Sequence, residues 1–285
     1  MDWRLQIIKK TLLGRIPFGN SLRQLKRRIF GYKPDPDNLV NTVENLKQMQ
    51  FELNSIERSF RKSTVLEIGS GWFPAIPLML AMEDINHLYM TDLTPHMDEV
   101  TFKATLEFLR RQFPDAIPKR ISRIDDIPAS YLAPFDPDQL PDKSIDYIIS
   151  RTVLEHIPPK EIIDFFSILR PKLAPDGLMV HLIDNSDHLE FNDKSITRIN
   201  FLTWSKRKHA LINFLMQDGE NRLRHHEYPS LFKKAGFSVR SEKAIIHDAT
   251  NEIAKTLELS LPYSEMAPEQ LSVLTSIFIL TPDTP

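Results

Sequence analysis

The 285-residue chain contains no cysteine. Disulfides, thiolate metal sites and cysteine nucleophiles are therefore excluded. Glycine is also scarce, with 8 residues where ordinary usage of ~7% would give about 20. No apolar run approaches the ~18 residues that a membrane span requires. The segment Leu5–Leu13 is interrupted by Lys9 and Lys10 and is followed by no small-residue cleavage site, so it does not read as a secretory signal. A phosphate loop ending in Gly-Lys-Ser/Thr occurs nowhere, which excludes a P-loop nucleotidase. The expectation is a protein of the cytoplasm. What remains is ordinary globular composition, 41% apolar and 26% charged with net charge −2. That suits one large domain, or one core with additions.

The charge is unevenly placed. Residues 1–33 carry nine Lys/Arg against Asp2 alone, a balance of +8, and the remainder of the chain carries −10. A basic head on an acidic body suggests a surface role for the head. Three roles are open to it: a lid helix over a ligand, a contact with an anionic membrane surface, or a nucleic-acid contact. The last is disfavoured by the acidic body and has no accompanying motif.

Residues 1–62 read as helices with no strand among them. Met1, Leu5, Ile8, Leu12 and Ile16 recur at helical spacing, as do Leu22, Leu25 and Ile29. A longer helix after Asp37 or Asn38 carries Met49, Leu53, Ile56 and Phe60 on one face. From residue 64 the pattern changes. Short apolar runs at 64–68, 87–92, 130–135, 145–150, 177–184, 237–246 and 275–280 alternate with helical stretches at 76–82, 97–112, 159–173 and 227–235. This implies an α/β fold with a mostly parallel sheet covered on both faces. A polar stretch at 185–225 breaks the alternation, and a helical insertion is expected at about 250–272.

The strongest local signal is Val65 to Gly71, V-L-E-I-G-S-G. Two of eight glycines flank one residue directly after a buried strand, as close backbone approach by a ligand at the strand's carboxyl end requires. A turn that merely needs positive φ is the alternative. A dinucleotide fingerprint would place a third glycine where Trp72, Phe73 and Pro74 stand. Glu67 would oppose a pyrophosphate but suits a ligand carrying ammonium and sulfonium groups. Asp92, 21 positions after Gly71, can accept both hydroxyls of a ribose, although such an aspartate by itself often caps a helix.

The ordered set E-I-G-S-G (67–71), M-T-D-L (90–93), S-I-D-Y-I-I-S-R-T-V-L-E-H-I-P (144–158), L-A-P-D-G-L-M-V (173–180) and K-K-A-G-F-S-V (233–239) resembles class I S-adenosylmethionine-dependent methyltransferases over about 64–184 and 226–285. Phe73 departs from the pattern, standing where many members have a third glycine. The resemblance implies a doubly wound, Rossmann-like seven-stranded sheet with a reversed last strand, N-terminal helices and an insertion after the fifth strand. It implies S-adenosyl-L-methionine as cofactor and S-adenosyl-L-homocysteine as product. It further implies that Gly69, Ser70 and Gly71 wrap the cofactor's amino-acid arm, with Glu67 near its ammonium. Asp92 would hold the ribose and Leu93 pack on the adenine. Ala133, Pro134 and Phe135 would lie by the adenine edge, and Ser150 and Arg151 beside the methionine part. Arg151 could instead pair with a carboxylate of the insertion.

The division expected is a helical segment or lid at 1–62 and a methyltransferase domain at 63–285, with the acceptor bound by the insertion at about 185–225. There, His188 follows Asp184-Asn185-Ser186-Asp187 and is a candidate base, oriented by Asp184 or Asp187. His156 is a second candidate, or only orients a helix start. Arg222 and Arg224 are candidates to clamp an anionic group on the acceptor, the alternative being a solvated helix approach. The spacing of Asp184, Asp187 and His188 is too unspecific to imply a metal, and none is expected. D-x-x-D-H followed by N-R-L-R also resembles bacterial methyltransferases of glycan and surface-polysaccharide pathways. The expected reaction is O-methylation of a small molecule or glycan. The alternatives are a cofactor-binding but silent scaffold subunit and, third, a nucleotide-dependent oxidoreductase.

Overall fold

The computed structural model describes residues 2–14, 35–114, 117–216 and 219–283. Seven strands form one sheet: β1 Thr64–Ile68, β2 His87–Thr91, β3 Ala129–Leu132, β4 Ile145–Arg151, β5 Leu173–Asp184, β6 Phe237–Ile246 and β7 Val273–Pro282. Their order is β3-β2-β1-β4-β5-β7-β6. β1 to β5 pair in parallel, and β7 runs antiparallel to both β5 and β6. The fold is thus the doubly wound α/β sheet with a reversed last strand that the sequence pattern implied. Strand order reverses between β1 and β4, and open α/β sheets bind ligands outside the carboxyl ends of strands at such a point.

Each interior strand is apolar on both sides because each side meets helices. Along β1 and β4, Leu66, Ile68 and Ile148 face one core with Ile162, Phe166 and Leu169 of α5 (Pro159–Leu169) and Tyr228, Leu231 and Phe232 of α7 (Tyr228–Lys234). Their pleat neighbours Val65, Tyr147 and Ile149 face the other core, where Leu46, Met49 and Leu53 of α2 (Pro36–Asn54) pack. The helices α3 (Ala75–Leu80) and α4 (Glu99–Gln112) close that side, with Leu78, Phe102 and Leu109 meeting Leu39 and Val43 of α2.

α2 begins cleanly. Asp35 accepts a hydrogen bond from the Asp37 amide at its N-cap, and Pro36 occupies the first turn, where its missing N–H is not needed. α1 (Trp3–Gly14) rests elsewhere, on the insertion after β5. Trp3 stacks on Trp204 with ring centroids 5.4 Å apart, and the Trp3 amide donates to Asp193 Oδ2 at 2.8 Å. The insertion contains a helix that its polar composition did not announce, α6 (Lys206–Met216). The helical stretch expected at 250–272 is instead two short helices, α8 (Asp248–Ala254) and α9 (Pro268–Leu271). Pro262 and Pro268 interrupt it, each lacking the amide that a continuous helix would use. The expected helix at 22–29 lies outside the described residues. Among the described residues, no helix is long and apolar enough to cross a membrane.

Candidate active site

The turn after β1 is fixed to the end of β2. The amides of Gly69 and Ser70 both donate to the Thr91 carbonyl at 3.0 Å, and the Thr91 hydroxyl donates to the Glu67 carbonyl at 2.8 Å. Gly69 has φ +74°, and a Cβ there would fall 2.7 Å from Val153 Cγ2, so a side chain would be excluded twice over. Gly71 has φ +67°, and a Cβ there would meet nothing within 4 Å. One glycine therefore lets the turn pack against the β4 loop, and the other leaves its backbone open to the cleft. Asp92 bridges the two loops: Oδ2 accepts from the Gly71 amide and Oδ1 from the Leu93 amide, both at 2.9 Å.

Behind the turn, Glu67 is buried and its Oε2 accepts from the Ser70 hydroxyl at 2.6 Å. Burial pushes its carboxyl up to about 7. The Ser70 bond lowers it, the nearby Asp92 charge adds to the rise, and Arg151 opposes it. Glu67 and Asp92 thus lie on the same side of the sheet and sense each other. A cavity of about 470 Å³ opens beside them, lined by Glu67, Gly69, Ser70, Gly71, Trp72 and Arg151, with Asp35, Asn38 and Thr42 of the α2 region across it. At its rim Trp72 and His96 lie ring to ring at 4.4 Å, and His96 Nε2 is 3.7 Å from Asp92 Oδ1. Leu93 is exposed. Ala133, Pro134 and Phe135 follow β3, and the Phe135 amide donates to the Asp92 carbonyl at 2.9 Å, while its ring sits edge-on to Phe165.

Arg151 ends β4 and leads from this cavity into a second one. Burial lowers its pKa, and the charges of Glu155, Asp184 and Glu67 oppose that fall. The second cavity, about 690 Å³, shares Asp35, Asn38, Arg151 and Thr152 with the first. Its far wall holds Asp184, Ser186, His188 and, from the insertion, Lys194 and Arg198. His156 lies against His188 with ring centroids 4.9 Å apart, and His188 Nε2 is 3.7 Å from Asp184 Oδ2. Beneath them Glu155 is buried, its carboxyl pushed up to about 8 by desolvation, with His156 the strongest opposing influence.

Nine expected site residues line neither cavity: Asp92, Leu93, Ala133, Pro134 and Phe135 at the ends of β2 and β3, and Ser150, Asp187, Arg222 and Arg224. Ser150 is fully buried with its hydroxyl 2.8 Å from His181 Nδ1. The pleat turns it to the side opposite Ile149 and Arg151. Asp187 is fully buried and organises its own loop, accepting from the Leu189 amide at 2.9 Å and from Asn200 at 3.4 Å. Arg222 donates to the carbonyls of Phe201 and Trp204 at 3.0 and 2.7 Å. Arg224, fully buried, donates to the Asn185 carbonyl at 2.6 Å and that of Leu271 at 3.4 Å. Both guanidiniums are spent on the main chain of the insertion, so neither is an anion clamp. Sequence reasoning missed the α2 wall. Its signal was present: Asn38, Asn41 and Asn45 recur at helical spacing along one edge of the apolar stripe, and all three line the second cavity.

A family model described as a methyltransferase domain matches residues 22–242, more than three-quarters of the chain. The chain belongs to this methyltransferase-domain family, enzymes that draw their methyl group from S-adenosylmethionine. No curated protein matches the sequence. Several solved structures are similar. One is the phosphoethanolamine N-methyltransferase 2 of Haemonchus contortus in complex with S-adenosyl-L-methionine, at 15% identity over 84% of this chain and 53% of that one, TM-score 0.48. Another is the cyclopropane synthase MmaA2 of Mycobacterium tuberculosis, at 15% identity over 84% and 83%, TM-score 0.47. A third comes from the complex of the Haloferax volcanii Trm112 methyltransferase activator with a methyltransferase, at 15% identity over 85% and 93%, TM-score 0.45.

The first cavity fits the cofactor on its own chemistry. It offers an open glycine backbone at Gly71 and a buried carboxylate at Glu67 for a cationic group, and Asp92 stands just outside its lining, bonded to the Gly71 amide at the tip of β2. Its volume lies within the range of small-molecule sites.

Proposed function

We propose that the chain transfers the methyl group of S-adenosylmethionine to a hydroxyl of a hydrophilic small molecule or glycan held in the second cavity. The observation that carries this reading is the junction at Arg151. The two cavities share Arg151 and Thr152 there, and the wall of the second is built mostly from asparagine, aspartate, histidine, lysine and arginine, with Leu182, Phe191 and Leu274 among them. Such a wall offers many directional hydrogen bonds and little apolar surface, which favours a polyhydroxylated acceptor over a flat or fatty one.

The cofactor supplies an activated methyl on a sulfonium, and in-line displacement needs mainly alignment of the two reactants, worth ~7–11 kcal/mol. The residues' parts follow from their places. Glu67, Ser70 and the Gly69–Gly71 backbone hold the amino-acid arm. Asp92 holds the sugar, with Leu93 and the 133–135 segment toward the base. Arg151 keeps the carboxylates of the two cavities in one electrostatic unit. His188 and His156, beside Asp184, are placed to engage the acceptor hydroxyl and its proton. The insertion at about 185–225 and the start of α2 enclose the acceptor, so that the segment at 1–62 acts as a lid through α2.

A radiolabelled-methyl assay over a panel of soluble saccharides, aromatic phenols and amines tests this. Label is expected in the saccharide fraction, suppressed at least a hundredfold by His188→Ala while S-adenosylhomocysteine binding is spared. Label confined to amines or to apolar phenols contradicts the reading, as does normal turnover by His188→Ala. A cytoplasmic enzyme with a peripheral membrane contact is the corresponding cellular reading. It is supported by exposed Leu5 and Ile8 on α1, and Leu211 and Phe214 on the α6 that packs beside it, among the basic residues Lys9, Lys10, Lys206 and Arg207.

A further inference from the structure

Glu155, His156 and His188 each present a ligand atom to a common point, all three atoms lying within 4.8 Å of one another. They arrive from different elements, the first two from the turn after β4 and the third from the insertion after β5. Glu155 is 2% exposed, no side-chain donor reaches its carboxylate, and the main chain at Glu155 and Asp184 offsets its desolvation only in part. A buried carboxylate ordinarily finds donors, because leaving it without them costs several kcal/mol. Here it stands beside two imidazoles instead. The surroundings add a second carboxylate: Asp184 Oδ2 is 3.7 Å from His188 Nε2.

We propose that Glu155, His156 and His188 bind a divalent transition-metal ion at the floor of the acceptor cavity, with Asp184 as a fourth ligand or as the carboxylate that orients His188. Two imidazoles and one carboxylate are a ligand set for Zn²⁺, Mn²⁺ or Fe²⁺ rather than for Ca²⁺ or Mg²⁺, which prefer oxygen throughout. Bonds of about 2.1 Å place tetrahedral ligand atoms about 3.4 Å apart, so small side-chain rotations close the present spacing. His156, His188 and Asp184 line the cavity that also contains Asn41 and Asn45. This deepens the methyltransferase reading and rests on it for its purpose: the ion would hold the acceptor's oxygen atoms in place beside the methyl donor, with His156 and His188 engaging the hydroxyl through the metal. It replaces the sequence-based expectation that no metal is used.

The test is titration calorimetry of the chelator-stripped full chain with ZnCl₂ and, separately, MnCl₂. One saturable site per chain is expected. Glu155→Gln and His188→Gln are each expected to weaken it at least tenfold, with unchanged circular dichroism. Should Glu155→Gln fail to fold, His188→Gln, at the cavity wall, carries the same test. The absence of a saturable site, or equal affinity in folded variants and wild type, overturns the proposal. S-adenosylhomocysteine titrated into the same samples separates the two readings. Binding of that nucleoside without metal binding removes the ion alone, and failure of the nucleoside to bind removes the reading beneath it.

Discussion

At the scale of single residues, Glu67 is the most consequential group because its environment is costly in the absence of a cation. Burial raises its pKa to about 7 against an ordinary 4.5. For an acid raised in the folded state, the associated stability is complete below pH 4.5 and is lost as pH rises through 7. A ligand ammonium reverses the preference by favouring the ionised form. Binding of S-adenosylhomocysteine should therefore weaken by up to tenfold per pH unit below 7, with proton release on binding, and Glu67→Gln should flatten the profile. Calorimetry in buffers of different ionisation enthalpy measures both quantities. A wild-type affinity that does not change between pH 5.5 and 8 would remove Glu67 from contact with the cation. Gly69 is constrained from both sides, by φ +74° and by Val153 Cγ2. The scarcity of glycine elsewhere in the chain is what makes this turn conspicuous in the sequence.

Among the elements, the insertion after β5 is held by an apolar cluster of Leu189, Ile199, Phe201, Leu202 and Trp204, which buried arginines tie to the rest of the fold. Arg224 crosses it fully buried, tying Asn185 to Leu271. Arg224→Met keeps the length of the side chain but leaves those carbonyls unpaired, and should destabilise the fold by about 2–4 kcal/mol. Urea unfolding measures this. Unchanged stability with weakened acceptor binding would restore the anion clamp that the sequence suggested. The contrast shows where the sequence was legible. The strands after residue 64 could be read because a parallel sheet covered on both faces demands apolar runs, and those runs are too short for helices and are set between turn residues. The direction of one side chain could not. Ser150 and Arg151 are adjacent, yet the pleat sends one into the core and the other into the cleft. Asp187 and Asp184 are three apart, yet one is spent on its own loop. Arg222 and Arg224 read as an anion clamp or a solvated helix approach because nothing local announces the carbonyls of Phe201, Trp204, Asn185 and Leu271 that they meet. Glu155 was legible as part of L-E-H, but its burial against His188 is a tertiary fact.

For the whole molecule, charge and shape act together. α1 fastens to the insertion through the Trp3–Trp204 stack and leaves Leu5 and Ile8 outward, so the described part of the basic head, with Lys9 and Lys10, lies on the insertion. Each Lys or Arg near an anionic surface contributes ~1 kcal/mol. Full-length protein should sediment with phosphatidylserine vesicles at low salt, release at high salt, and lose sedimentation in a Leu5→Asp/Ile8→Asp double variant. Protein that stays in the supernatant at low salt would end the membrane reading without touching the catalytic one. In the proposed arrangement the donor lies at the reversal between β1 and β4 and the acceptor beyond β4 and β5, and one arginine at the end of β4 lines both cavities.

Titration of S-adenosylhomocysteine into the wild-type chain and Asp92→Ala tests this arrangement most directly. The account predicts one site per chain, with affinity reduced by about 1.5–3 kcal/mol in the variant because hydrogen bonds to a charged group are lost. No saturable binding to the wild type, or the same affinity in both proteins, would contradict it.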